Sequence, residues 1–331
     1  ERDVDGRAKR KTIAGREAKL SDLHRIVEER AGVDRTSLNW LLEQFHASPQ
    51  YRELAERTRA DYDNQQKIVK KLQLANGKCL GDLAVARLTR AGMQRLVDSI
   101  GAETPTKANH LKRYLARVFR WGMNRGLCTD NPAKGIEQAT ERKQRRLPSD
   151  TAYARVLAHA QARGGYVWLA MELTYLCRLR SAEAFRLTDA HALEDGVLAE
   201  RLKGSRDNVV AWTPRLRAVW KAATERRSKI MKRLDRETQI KPEDRILLVS
   251  EDGAALEPSS WSTAWNRMIR SALLATVITP AERFSFHDLK RKGITDTPGT
   301  RADKQHASGH KTAAMLDVYD QSRPVVRPSK E

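Results

Sequence analysis

Apolar residues recur at helical spacing over the first third of the chain. Leu38, Leu41, Leu42 and Phe45 fall on one face of a helix opening near Thr36. The Thr58–Asp61 pair resembles a capping pair and places the next helix start there, with Tyr62, Val69 and Leu72 facing inward. A third helix follows Thr89 and carries Met93, Leu96 and Val97. A fourth covers about 105–125, with Pro105 in its first turn and Leu111, Leu115, Val118 and Phe119 on its apolar side. No strand signal interrupts these segments, so they read as a small helical bundle.

Asn131-Pro132 ends that unit, and the stretch EQATERKQRRLPSD that follows at 137–150 is polar, basic and closed by Pro148. It reads as a linker, and Ser149 or Asp150 caps the next helix. Beyond it the pattern predicts helices over 150–163 and 165–177, the latter apolar enough to be buried, and a short helix opened by Arg180–Glu183. Strands at 196–203 and 208–213 are joined by Gly204–Asp207, a hairpin signal. A helix after Pro214 carries Leu216, Val219, Trp220 and Ala223; Ile246–Val249 reads as a further strand; a helix from Ser259 or Ser260 buries Trp261, Trp265 and Met268. The expected fold is mainly α with a small antiparallel β-sheet, in two domains. The expected boundaries are a basic N-terminal segment at 1–33, with a short amphipathic helix at Leu20, Leu23, Ile26 and Val27; a helical domain at 34–137; a linker at 138–149; and a mixed α/β domain at 150–331, whose tail holds Pro324 and Pro328.

Composition narrows the partner. The chain has 331 residues, 40% hydrophobic and 31% charged, and a formal net charge of +20. That is room for two cores and a field that favours a polyanion, nucleic acid above all. Lys67, Lys70 and Lys71 on the second helix, Lys107, Lys112, Arg113, Arg117 and Arg120 on the fourth, and Arg145 and Arg146 in the linker are the candidate phosphate contacts. Such contacts give salt-sensitive affinity without sequence information. The basic run Arg7–Arg16 reads as a solvated tail rather than a DNA-binding arm. Three cysteines, far apart and without a CxxC, point to a reducing compartment and no zinc finger. No signal peptide or membrane-spanning run is expected. The opening on Glu1 suggests a processed or shortened chain.

The chemistry concentrates in FHDLKRKGITDTPGTRADKQHASGHKTAAMLDVY, residues 286–319. It holds His287, Lys290 and Arg291 together, then Gly309-His310, then Tyr319 nine residues after that histidine. Upstream, Arg180 and Glu183 stand as R-x-x-E. An arginine fork suits two phosphate oxygens at once, although R-x-x-E alone is more often a helical ion pair. His306 and His310 stand four apart like a metal pair, but the third ligand and the glutamate of a zinc-protease helix are missing, so no metal is expected. A phenol ionises near pH 10 and attacks only when activated.

This ordered set resembles the tyrosine recombinases, the phage-integrase family, across the second domain, and the helical first domain fits that family's core-binding domain. The resemblance implies that Arg180 grips the scissile phosphate, Glu183 braces it, and Lys203 on the hairpin protonates the leaving 5′ oxygen. It implies further that His287 assists acid–base chemistry, His310 donates to a non-bridging oxygen, and Tyr319 attacks to leave a 3′-phosphotyrosine. Two departures stand out. Lys290 occupies the arginine place of H-x-x-R, with Arg291 in reserve for the same role, and Arg178 stands where the family has a glycine, which makes it a rival to Arg180. The family needs no metal or other cofactor. It works on double-stranded DNA as a homotetramer on two sites, with accessory DNA-bending or directionality factors and no membrane, which implies a cytoplasmic, nucleoid-associated protein of bacterial or phage origin. The alternatives are a relative that binds DNA without cutting it, and a type IB topoisomerase; the compact length and small helical first domain favour the recombinase.

Overall fold

The computed structural model describes residues 34–74, 77–141, 146–202 and 204–323, with Glu17, Lys19 and Ser329. The expected N-terminal helix, Lys203, Arg145 and the two tail prolines lie outside the described residues. The chain divides between 143 and 144 into two compact units.

The first unit holds α1 (Leu38–Ala47), α2 (Pro49–Arg52), α3 (Glu56–Lys71), α4 (Arg90–Glu103) and α5 (Pro105–Met123). Ser37 caps α1 by accepting from the Trp40 N–H, and Leu38, Leu41, Leu42 and Phe45 are all buried. Against expectation, α3 opens at Glu56, ahead of the Thr58–Asp61 pair, and has no side-chain cap; Asp61 instead pairs with Arg57. Helix α5 centres the unit, with Leu111, Tyr114, Leu115, Val118 and Phe119 buried. Each such side chain contributes about 1.5–3 kcal/mol by leaving water. Residues after Asn131 stay with this unit: Asn109 donates to the Ala139 carbonyl at 2.8 Å and accepts from the Ala139 N–H at 2.9 Å.

The second unit holds α6 (Asp150–Arg163), α7 (Val167–Leu176), α8 (Ser181–Ala184), β1 (Gly196–Ala199), β2 (Asn208–Ala211), α9 (Pro214–Arg233), α10 (Pro258–Leu274), α11 (Phe286–Thr295), α12 (Arg301–Ser308) and α13 (Ala313–Asp317). Helix α7 is buried on most sides, and α6, α8, α9, α10 and α11 all pack on it. Its one acid, Glu172, is held by the Tyr153 hydroxyl and by Arg215 through Nε and NH2, both at 2.6 Å.

Two expectations about β-structure are corrected. The strands are shorter than the apolar runs: β1 and β2 pair antiparallel over Gly196–Ala199 and Asn208–Ala211, so the connection is a long loop rather than a tight turn. The cause is Arg201, whose backbone N–H turns to Asp207 Oδ1 at 2.6 Å and whose side chain is drawn inward. Ile246–Val249 forms no strand; it makes isolated bridges to Thr188 and Ala255 while Leu247, Leu248 and Val249 fill the core. Helix α10 starts at Pro258, ahead of the expected serines.

Candidate active site

The site is assembled where α11 crosses α7. Gly293 permits the crossing, since a Cβ there would stand 2.2 Å from the Tyr175 carbonyl oxygen. Ser285 stands just before α11, and its N–H and hydroxyl both donate to Asp288 Oδ2, at 2.8 and 2.7 Å. Asp288 also binds Arg291, which donates to the Arg146 carbonyl at 3.2 Å. The Arg291 guanidinium is thus spent on the first turn of its own helix.

Lys290, one position earlier on the helix, faces Glu183 instead. It is fully buried, its Nζ has no hydrogen-bond partner, and it stands 3.6 Å from Glu183 Oε2. Burial, with the positive charges of Arg201 and Arg180 against the opposing charge of Glu183, pushes its ammonium down to about 7.

Glu183 is the hub. Its buried carboxylate accepts from the Arg180 N–H at 2.7 Å, from Arg180 NH1 at 2.6 Å and from the Leu202 N–H at 3.0 Å. Burial alone would raise its carboxyl; Lys290 and the Arg180 bonds outweigh that and hold it below the ordinary range. Arg180 also donates through NH1 to the Leu202 carbonyl at 3.1 Å and lies 3.4 Å from Ser205 Oγ through NH2.

The turn before Arg180 explains Arg178. That residue adopts φ +52°, the left-handed conformation that a glycine takes without penalty. Its side chain leads away from Glu183, with Nε donating to the Ala307 carbonyl at 3.0 Å and NH1 to Thr297 Oγ1 at 3.2 Å. Arg178 therefore braces α12 and leaves the Glu183 pocket to Arg180.

His310 arrives just beyond the end of α12. Gly309 caps that helix at φ +72°, and a Cβ on it would stand 2.3 Å from the Arg206 carbonyl oxygen. Gly309→Ala is expected to cost about 1–3 kcal/mol in chemical denaturation from backbone strain alone, and to displace His310. The Ser308 hydroxyl donates to the Gln305 carbonyl at 3.0 Å, so its oxygen accepts from His310 Nδ1 at 3.0 Å. This hydrogen-bond pattern assigns the proton to Nδ1 and leaves a buried, unpartnered lone pair on Nε2. Burial and the charges of Lys290, Arg180 and Arg201 push the imidazole down to about 4.

Tyr319 lies two residues past α13, half-buried, and its N–H donates to the Leu316 carbonyl at 2.8 Å. Its ring stacks at a tilt on His310, centroids 4.7 Å apart, and meets the His287 ring edgewise at 5.5 Å. His287 is exposed; partial burial of its ring and the charges of Arg291 and Lys290 hold it below its usual value.

Arg180, Glu183, His287, Lys290, His310 and Tyr319 are thus brought together, while Arg178 and Arg291 point elsewhere. Lys203 is not described, but its neighbour Leu202 bonds both members of the Arg180–Glu183 pair. One charged contributor escaped the sequence reading. Arg201 has no exposed side-chain surface, donates to the carbonyls of Arg178 at 2.6 Å and Cys177 at 2.9 Å, and stands 3.7 Å from Glu183 Oε2. Its signal was available: Val197, Ala199 and Arg201 share one strand parity, so the cation occupies an inward position.

The candidate phosphate contacts divide as well. Lys67, Lys70, Lys71, Lys107, Arg113 and Arg120 are exposed, with Lys70 paired to Glu43 at 2.9 Å, and Arg117 is half-buried. Lys112 is half-buried and donates to the Ile136 carbonyl, and Arg146 donates to the Arg283 carbonyl at 2.8 Å. Among the described residues, no helix is long and apolar enough to cross a membrane, and no cluster of three or more potential metal ligands occurs.

Comparison with known proteins bears on the fold. Residues 45–139 match the phage integrase central domain. No curated protein matches the chain. Among solved structures, a lambda integrase dimer bound to a COC' core site superposes with a TM-score of 0.69 at 16% identity, covering 96% of this chain and 85% of that one. The Tn1549 transposon integrase in complex with transposon right end DNA gives 0.69 at 12% identity, covering 87% and 96%. A lambda integrase tetramer bound to a Holliday junction gives 0.66 at 15% identity, covering 95% and 85%. The chain therefore has the fold of the lambda and Tn1549 integrases, and part of its first unit matches the phage integrase central domain.

Proposed function

We propose that the protein cuts and rejoins DNA through a covalent bond between Tyr319 and a 3′ phosphate. The observation that carries this reading is the convergence on Glu183 and Tyr319 of Arg180, Lys290 and His310, which come from three separate segments of the second unit. A buried lysine with no hydrogen-bond partner and an imidazole with a free lone pair are expensive to maintain in an empty protein. A phosphodiester supplies the oxygens and the charge that both lack.

In the proposed reaction the Tyr319 oxygen attacks phosphorus and gives up its proton. The phosphorus–O5′ bond breaks, and the leaving oxygen takes a proton from Lys203. The phosphodiester's bond energy is kept in the phosphotyrosine, so a DNA 5′ hydroxyl reverses the step without metal or cofactor. Arg180 and Lys290 stabilise charge on the phosphoryl oxygens, an effect worth about 10³–10⁵ in other phosphoryl transfers. The Nδ1–H tautomer suits His310 to accept the phenol proton through Nε2, after which it can donate to a non-bridging oxygen. Neutral His287 at the other edge of the Tyr319 ring serves the same proton traffic, a contribution of about 10²–10⁴.

The integrase neighbours in complex with DNA, one of them a tetramer on a Holliday junction, support duplex DNA as the substrate and assembly on two sites. Accessory DNA-bending or directionality factors belong to the same expectation. A second reading, a relative that occupies DNA without cutting it, draws its support from Lys290 at the arginine place. A duplex nicked near the cleavage point, so that the cut fragment diffuses away, separates the two: a denaturant-resistant protein–DNA adduct supports the enzyme, and its absence at saturating DNA supports the binder. Relaxation of plasmids of any sequence would instead point to a topoisomerase.

The exposed cations of α3 and α5 give the affinity its expected salt dependence. Arg113→Ala and Arg120→Ala should each reduce the slope of log K against log salt by about 1. Lys112→Ala, whose cation is turned to the Ile136 carbonyl, should leave the slope unchanged.

A further inference from the structure

Lys304 is a buried lysine with no part in the chemistry above. It lies on α12 with 7% of its surface exposed. Its ammonium donates to the Thr295 carbonyl at 2.8 Å, Asp320 Oδ1 at 3.1 Å and Ser322 Oγ at 3.0 Å, which uses all three of its hydrogens. Thr295 ends α11, the helix that carries His287 and Lys290, and Asp320 is the residue after Tyr319. Two further bonds join the same segments: Thr295 Oγ1 lies 3.4 Å from the Tyr319 carbonyl and accepts from the Gln321 N–H at 3.1 Å. Burial would raise the Asp320 carboxyl, but its bonds from Ser322 and Lys304 hold it below the ordinary range. A second ion pair on this segment, Arg301 to Asp317, is more than half exposed on both sides and holds little in water.

We propose that Lys304 is a positioning residue for the nucleophile: it clamps Asp320 and Ser322 to the end of α11, so that the Tyr319 ring stays over His310. The proposal rests on the reading of Tyr319 as nucleophile. Helix α13 is short, and Tyr319 stands beyond its end. Without Lys304 the segment after α13 keeps only neutral bonds, those of Thr295 and those from the Tyr319 and Asp320 N–H groups to the Leu316 carbonyl, among the contacts described. A buried ammonium with three acceptors is a strong anchor, because breaking it leaves a charge in a low-dielectric site. It is also a specific one, because Asp320 fixes the register of the adjacent phenol to within one residue.

The test uses the full chain with 3-fluorotyrosine incorporated and the Tyr319 resonance assigned by Tyr319→Phe. In the parent, the stacked His310 ring shifts that resonance away from the free-tyrosine position. Lys304→Met should move it back towards that position, and Lys304→Arg should keep it. On the nicked substrate, Lys304→Met should lower the single-turnover rate of adduct formation about 10–100-fold, the scale of a small misplacement, with DNA affinity unchanged. If Lys304→Met does not fold, Asp320→Asn and Ser322→Ala carry the same comparison. An unchanged fluorine resonance and rate in Lys304→Met overturn the clamp. A parent that forms no adduct overturns the proposed function instead, and the fluorine spectra then judge the clamp by themselves.

Discussion

Tyr319→Phe is expected to bind duplex DNA as tightly as the parent and to form no covalent adduct with it. The substitution removes one oxygen from a half-buried ring that packs against His287 and His310. No hydrogen bond to the phenol oxygen is among those described, so folding loses nothing there, and stacking on the imidazole is kept. The loss falls on the chemical step: without the attacking oxygen, adduct formation should drop by about 10⁴-fold or more, as when other covalent nucleophiles are removed. Gel-shift affinity and denaturing-gel adduct yield, measured on the same nicked duplex, check both halves. An adduct that persists in Tyr319→Phe would assign the nucleophile elsewhere.

Lys290→Met is expected to abolish cleavage and at the same time to stabilise the fold. The side chain is fully buried, its Nζ is unpartnered, and Glu183 keeps its bonds from Arg180 and Leu202 when the lysine goes. Cleavage should fall by about 10³-fold, the order of losing one preorganised charge at a developing oxyanion. The stability effect has a definite pH dependence. An unfolded lysine holds its proton up to about pH 10.4, whereas the folded one is pushed down to about 7. Between these values the unfolded chain binds more protons, so the parent gains stability as pH rises through this window. The advantage of Lys290→Met should therefore be greatest below pH 7 and shrink steadily above it. Thermal unfolding of both proteins at pH 6 and pH 9 measures this; an advantage that does not change with pH would show that Lys290 is already charged and paired.

Binding should reverse that shift. A phosphodiester beside Lys290 favours its charged form, so DNA binding at pH 8 should be accompanied by proton uptake, seen calorimetrically in buffers of different ionisation enthalpy. Lys290→Met should show less uptake. Lys290→Arg should retain cleavage, because a guanidinium stays charged even where burial opposes it and Glu183 is placed to receive it.

Local chemistry made much of this protein legible beforehand. The helices of the first unit follow from apolar spacing, since a face that repeats at 3.6 residues has one way to leave water. The burial of α7 follows from a run with too few polar groups for any exposed face. The misplaced starts of α3 and α10 came from trusting serine, threonine and aspartate as caps when packing began the helix earlier. The overlong strands came from reading Leu202 and its neighbours by β-propensity, when Arg201 drew the chain inward. In the site, the order of Arg180, Lys290, His310 and Tyr319 was visible because each stands in a recognisable local motif. Arg201 and Lys304 were not, because each is one cation among many, and only its burial separates it from the rest.

The residues by themselves determined which charges and phenols the chain possesses and where most of its helices run, because those are read from composition and from neighbours in sequence, and the net charge favoured a polyanionic partner. The choice of Lys290 over Arg291, and of Arg180 over Arg178, belonged to the folded arrangement. Adjacent side chains on a helix point about 100° apart, and nothing local says which direction faces Glu183. Once α11 lies across α7 at Gly293, one lysine enters the pocket and the next arginine is left to Asp288.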